Sequence, residues 1–249
     1  MDLIKNTVLI SGGSAGIGFE IAKQLTAKGN HVIITGRDQQ RLEKAAAKLE
    51  NVTAISFDVT NEAAVDQMVN RLITDFPDLN ILINNAGFAH AYDITAEQHA
   101  WEKAGEEMNT NYISLIRLTE KLLPLLLKQK KSAVVNVTSI VAIVPNINIL
   151  TYSASKAALR SYTQGLRLAL RDTSVKVFEL MPPLVNTDFS ESIGGKENGI
   201  SPVQVATDLI NALESDTYEV QVGVTAQIFE MANTSITSAL YAINRIEEL

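Results

Sequence analysis

A tyrosine and a lysine stand four residues apart in the run Leu150-Thr151-Tyr152-Ser153-Ala154-Ser155-Lys156. The surrounding pattern reads as helix. Four residues make about one helical turn, so Tyr152 and Lys156 share a face. A free phenol titrates near a pH of about 10, too high for acid–base work at neutrality. An ammonium nearby favours the phenolate and draws that value down. The pair is therefore suited to moving a proton to or from a substrate. Taken alone, it fits an ordinary solvent-facing helix equally well.

Other residues with chemical potential come earlier in the chain. Ser139 lies thirteen positions before Tyr152, at the end of the apolar run Ala133-Val134-Val135-Asn136-Val137. Asn111 stands in Met108-Asn109-Thr110-Asn111-Tyr112, and a small-residue segment, Asn84-Asn85-Ala86-Gly87, follows another apolar run. Near the start comes Val8-Leu9-Ile10-Ser11-Gly12-Gly13-Ser14-Ala15-Gly16-Ile17-Gly18. Gly12, Gly16 and Gly18 end a predicted strand and open a predicted helix. Glycine lets the backbone turn tightly and approach a pyrophosphate, and a helix N-terminus favours negative charge. No Lys-Ser/Thr pair follows these glycines, so the loop is not a P-loop.

The elements that must position these residues alternate regularly. Strands are expected at 7–11, 31–35, 52–57, 79–83, 132–137, 174–180 and 219–222. Their continuous apolar character suits strands buried on both faces of a parallel sheet. Helices are expected at 16–28, 39–49, 62–75, 97–129, 152–171 and 202–214. The 97–129 segment is long for one helix, and Asn109 to Asn111 mark a kink or break within it. Glycines 194, 195 and 199 make 183–200 a flexible segment; after 225 the pattern is mixed. The expectation is an α/β fold in one domain spanning 1–249: a doubly wound parallel sheet of about seven strands with helices on both faces.

The motifs, taken in this order, resemble the short-chain dehydrogenase/reductase family from about residue 5 to about residue 223. The run Leu170 to Val177, with Pro182-Pro183 after it, is similar to a bacterial subgroup of reductases labelled DltE. The resemblance implies a Rossmann-type fold and hydride transfer between a nicotinamide and a carbonyl or alcohol. It makes Tyr152 the general acid/base and Lys156 the group that tunes it and holds the nicotinamide ribose. Ser139 would bond the carbonyl oxygen, and Asn111 would hold a water linking Lys156 to solvent. Cofactor contacts are implied for Ser11, Gly12, Ser14, Ala15, Gly16, Ile17 and Gly18. They are also implied for Asp58 and Val59 at the adenine, and for Asn85, Ala86 and Gly87 beside the strand-order reversal. Pro182, Val185 and Thr187 would face the nicotinamide. Pro183 stands where the family has glycine, which alters the path expected of that loop.

In a Rossmann unit the end of the second strand meets the adenosine ribose. Here it reads Thr35-Gly36-Arg37-Asp38, without an acid at Gly36 and with Arg37 able to grip a phosphate. NADP(H) is therefore expected over NAD(H), which the neighbouring Asp38 keeps possible. Two other readings stay open: a non-catalytic dinucleotide-binding redox sensor on the same fold, and another reaction such as epimerisation or dehydration.

Composition narrows the classes. The net charge is −7 with no basic run, which argues against nucleic acid and a polybasic membrane anchor. There is no cysteine, so disulfides and thiolate sites are excluded. The three histidines show no metal-ligand spacing. No secretory pattern is legible at the start, and a cytoplasmic protein is expected. Val141, Ile143, Val144, Ile147 and Ile149 point to a pocket for an apolar carbonyl or alcohol. Ala154, Ala157 and Ala158 let another helix approach closely, and Leu115, Leu118, Leu122, Leu125 and Leu126 exceed one sheet-facing stripe, so self-association into a dimer or tetramer through 112–127 and 152–171 is expected.

Overall fold

The computed structural model describes residues 1–247. Seven parallel strands form one sheet in the order β3-β2-β1-β4-β5-β6-β7. They are β1 (Thr7–Ser11), β2 (His31–Gly36), β3 (Val52–Ser56), β4 (Leu79–Asn84), β5 (Ser132–Val137), β6 (Val175–Met181) and β7 (Glu219–Gln221). Helices alternate with them: α1 (Gly16–Ala27), α2 (Gln39–Ala46), α3 (Glu62–Asp75), α4 (Ala100–Met108), α5 (Ser114–Leu127), α6 (Leu150–Ala169) and α8 (Pro202–Ser215). A short α7 (Gly195–Asn198) lies in the segment expected to be bare loop, and α9 (Thr225–Thr234) and α10 (Ile236–Asn244) close the chain.

Side chains alternate across each strand, so one strand feeds two cores. Val8, Ile10, Val32, Ile34 and Phe178 pack under α1, α2 and α8. Leu9, Ile33, Leu82, Val134 and Val177 pack under α3 and α5. Both sheet faces are covered, which is why the central strands are mostly apolar. A third, smaller cluster joins Ile140, Val141, Val144, Ile149 and Tyr152 to Ile228 and Ala239 of α9 and α10.

Two expectations about the long helical stretch change. No break occurs at Asn109; the chain passes from α4 into α5 through a π-turn at Asn109–Ile113. The wider turn places Asn111 fully inside, at 0% exposure. The five leucines of this segment are no surplus, because all are buried and four of them pack into the α3/α5 core. No described helix is long and apolar enough to cross a membrane.

The chain winds outward from β1 through β2 to β3, then returns to place β4 on the other side of β1. The crevice at the C-terminal ends of β1 and β4 is where such sheets bind ligands. The glycine loop, Asn85 to Gly87, Ser139, Tyr152 and Lys156 converge on that end.

Candidate active site

A cavity of about 1130 Å³ opens at this crevice. Its wall includes Tyr152, Lys156 and Ser139, and also Gly12, Ser14, Ala15, Gly16 and Ile17. Asn85, Ala86, Gly87, Pro182, Val185 and Thr187 line it too. Sequence-distant motifs thus share one space.

Tyr152 and Lys156 sit in the first two turns of α6 and are 8% and 3% exposed. The lysine Nζ lies 5.6 Å from the Tyr152 ring centroid and donates to the Val137 carbonyl at 2.8 Å. Ser139 follows β5 in extended conformation, and its Oγ accepts the Val141 N–H at 3.3 Å. Asn111 does not line the cavity. Its amide brackets Phe88, accepting that residue's N–H at 2.9 Å and donating to its carbonyl at 2.9 Å. It also donates to Ser155 Oγ at 3.0 Å. A Cβ on Gly87 would stand 3.0 Å from Asn111 Oδ1 and 3.5 Å from Lys156 Nζ. That glycine is the thin partition between the two side chains.

The electrostatics depart from the sequence expectation. Burial pulls Lys156 down to about 8. Burial also pushes the Tyr152 phenol well above its ordinary value; the adjoining Ser139 hydroxyl opposes the rise, and the negative charge of Glu107 adds to it. Desolvation disfavours the charged form of both groups.

At the other end, Gly12 and Gly16 adopt left-handed backbone, with φ of +67° and +55°. A Cβ on Gly18 would fall 2.5 Å from the Gly12 carbonyl, so α1 can begin this close to the loop only with glycine there. Ala15, the residue capping α1, offers no side-chain bond to the first turn, and that turn has no acidic residue. The free N–H groups of the turn thus meet the cavity without a protein anion, the setting a pyrophosphate requires. Thr187 lies over this loop, its methyl 3.1 Å from where a Gly16 Cβ would stand.

Several residues around the site also bond within the framework. Ser11 Oγ accepts the N–H groups of Asn85 and Ala86 at 3.0 Å each, pinning the ends of β1 and β4 together. Asn84 bonds Thr119 and Asn136 inside the core. Asp58 Oδ1 accepts from Thr60 N and Oγ1 at 2.9 and 2.7 Å, and Val59 is buried beside it. Ser11, Gly18, Arg37, Asp58 and Val59 lie outside the cavity lining. Arg37 is exposed at the end of β2. Despite Pro183, the loop after β6 joins the site: the Pro182 carbonyl accepts the Ile140 N–H at 2.9 Å, and Val185 bridges to Ile200. Of the apolar residues expected to shape the pocket, Val141 and Ile149 line it. Val144 packs in the cluster beneath, and Ile147 is exposed.

The sequence reading missed Arg41. It lines the cavity, pairs with Asp188 at 2.6 Å, and with Lys44 and Lys48 borders a smaller cavity of about 310 Å³ beside Ser14 and Ala15. Nothing in its residue type or spacing singled it out, because Arg37 lies outside the helix that carries Arg41. Val224, Ile228 and Ile243, from the C-terminal helices, were missed too.

The short chain dehydrogenase family profile matches residues 6–198. Among curated relatives, the oxidoreductase DltE of Bacillus subtilis (strain 168) is 37% identical over 224 residues, 88% of this chain and 89% of its own. Serine 3-dehydrogenase of Agrobacterium fabrum is 35% identical over 84% of this chain and 87% of its own. A short chain dehydrogenase of Burkholderia cenocepacia, solved in complex with NADP, superposes with a TM-score of 0.86 at 27% identity, covering 100% of both chains. With the site geometry above, these matches place the chain in the short-chain dehydrogenase/reductase family, as a DltE-like oxidoreductase enzyme.

Proposed function

We propose that this enzyme interconverts a carbonyl and an alcohol using NADP(H), with Tyr152 as the general acid/base. The supporting observation is the single cavity that joins Tyr152, Ser139 and Lys156 to a glycine loop and an uncapped helix N-terminus. Gly12, Ser14, Ala15, Gly16 and Ile17 would hold the pyrophosphate. Asn85, Ala86, Gly87, Pro182, Val185 and Thr187 would border the nicotinamide half. When bound, the dinucleotide supplies or accepts hydride.

The side chains then divide the remaining work. Ser139 Oγ donates a hydrogen bond to the carbonyl oxygen and stabilises charge developing there. Tyr152 Oη carries the proton that the alkoxide takes in reduction and returns in oxidation. A phenol held in its neutral form is ready to donate. Lys156 supplies a hydrogen-bond donor and, when protonated, a charge that favours the phenolate during oxidation. Asn111 fixes the Phe88 backbone behind Gly87 and is positioned to hold a water near Lys156.

NADP(H) is preferred in this reading because Gly36 provides no acid against a 2′-phosphate, and Arg37 and Arg41 stand on that side of the site. The substrate is an apolar carbonyl or alcohol, since Val141, Ile149, Ile193, Val224, Ile228 and Ile243 wall the cavity near Tyr152. We also propose that the enzyme self-associates through the outer faces of α5 and α6.

A panel of aldehydes and ketones, graded from polar to apolar, tests the assignment by NADPH consumption. Turnover is expected to favour the apolar members. It is expected to fall by about 10²–10⁴ in Tyr152→Phe with NADPH binding retained. A Tyr152→Phe enzyme that keeps more than about a tenth of wild-type turnover would contradict the role given to the phenol.

A further inference from the structure

The one fully buried side chain of α4 is a carboxylate, Glu107, at 0% exposure. An acidic group is a costly choice for an interior position unless something there uses it. Its Oε1 accepts the backbone N–H of His90 at 2.7 Å, while Oε2 has no hydrogen-bond partner among the described residues. Glu107 lies four residues before Asn111, and the two divide one task. Asn111 holds Phe88 by its N–H and carbonyl; Glu107 holds His90 by its N–H.

The segment so gripped continues into the active site. Ala91 and Tyr92 line the cavity. The Tyr92 N–H donates to the Asn148 carbonyl at 3.0 Å, and its hydroxyl bonds Thr151, the residue before Tyr152, at 3.0 Å. A hydrogen-bonded path thus runs from Glu107 through residues 90–92 to the turn of α6 that carries the phenol.

We propose that Glu107 is a positioning residue for the Tyr152 chemistry: it fixes the 88–92 wall of the cavity, which in turn holds the turn of α6 that carries the phenol. The proposal rests on the acid/base role assigned to Tyr152 above. A hydrogen-bond acceptor alone would meet the need of His90, and a glutamine supplies one. The charge is the part a glutamine lacks. That charge opposes ionisation of Tyr152, adding to the effect of burial. The other titratable groups of this region are Lys156 on α6, His90 and Glu106, paired with each other at 2.9 Å, and Lys103, which pairs with Glu97 and stands over the Tyr92 ring. Lys156 bonds the Val137 carbonyl.

Two measurements on the full chain separate the two parts. Amide hydrogen exchange at His90 reads the grip. Protection is expected to be retained in Glu107→Gln and to drop at least about tenfold in Glu107→Leu. For the charge, 3-nitrotyrosine is installed at position 152 in otherwise wild-type and Glu107→Gln chains. Its visible absorbance reports ionisation at a lower pH than an unmodified phenol requires. Glu107→Gln is expected to titrate about half a pH unit or more below the wild type, since a like charge has been removed. A His90 amide indifferent to Glu107→Leu would overturn the positioning claim. Superimposable titrations would overturn the electrostatic one, even if Glu107→Leu fails to fold. Neither reading requires turnover. Failure of the Tyr152 assignment itself would instead appear as an active Tyr152→Phe enzyme.

Discussion

Lys156 meets the protein interior at a cost that its chemistry requires. Burial brings it to about 8 from an ordinary 10.5, so at neutral pH the folded state carries an ammonium it disfavours. Below about 8 the lysine is protonated both folded and unfolded, and the penalty is fully present. Between about 8 and 10.5 the unfolded chain binds more protons than the folded one, so stability rises with pH. Lys156→Met should therefore stabilise the protein at pH 7. The gain is about 1–2 kcal/mol, once the lost bond to Val137 is set against a penalty of up to ~3 kcal/mol. It should shrink as pH rises through that window. Denaturant melts at pH 7 and pH 10 check this; a gain that does not change with pH would mean packing, not charge, sets it. At the ribose end, Arg37→Ala and Arg41→Ala should each weaken NADPH more than NADH, by ~1.5–3 kcal/mol for a lost charge-assisted phosphate contact. Calorimetric titration with both cofactors would sink the assignment if the wild type showed no preference or both variants kept the wild-type ratio. Residue types and order announced Tyr152, Lys156 and Ser139. They could not announce Arg41 or Glu107, whose importance comes from what α2 and α4 are packed against.

Elements were legible in the sequence where burial is two-sided. The central strands are nearly unbroken apolar runs, because helices cover both faces of the sheet; the edge strand β7, Glu219-Val220-Gln221, is not. The π-turn was read as a kink or break because asparagine disfavours helix interiors; the turn inserts a residue without ending the helix. The α5 leucines were read as surplus because a stripe count does not see how wide the sheet beneath is. The glycine loop shows how strictly an element junction can restrict sequence. Gly18→Ala would drive a methyl to 2.5 Å from the Gly12 carbonyl and 2.6 Å from Asn85 Nδ2, both residues that line the cavity. The expected result is a loss of about 1–3 kcal/mol with dinucleotide binding strongly weakened. Gly105→Ala, in α4 with no atom within 4 Å of the new methyl, is the control. It should stabilise by ~0.5–1 kcal/mol. Thermal melts with and without NADPH distinguish them; equal behaviour of the two variants would deny the loop its packing constraint.

On the scale of the whole molecule, the outer face of α6 calls for a partner that the core does not supply. With the α5 leucines turned inward, the case for self-association rests on the small residues of α6. Ala154, Ala157, Ser161 and Gly165 present a flat surface, with Leu168 65% exposed at its end. Tyr112 and Tyr162 meet edge-to-face at 6.3 Å, marking where this surface runs onto the start of α5. Ile113 is 46% exposed there, and Leu127, at the far end of α5, is 43% exposed. Arg117 keeps a guanidinium nitrogen, Nη1, buried without a hydrogen-bond acceptor among the described residues, and Glu120 is exposed one turn away on the same helix. A second copy related by a two-fold axis would bring the same flat surface against itself and offer acceptors to Arg117, the self-complementary arrangement that closed dimers use. Such an interface would also stiffen α6 behind Tyr152 and Lys156, tying assembly to activity. Light scattering at micromolar concentration is expected to give at least twice the 27.1 kDa of one chain. Gly165→Arg, which adds a long cation where a new side chain meets nothing within the chain itself, should give a folded monomer with reduced turnover. A wild-type mass that stays at 27.1 kDa across concentration would refute the interface, as would a Gly165→Arg variant that assembles like the wild type.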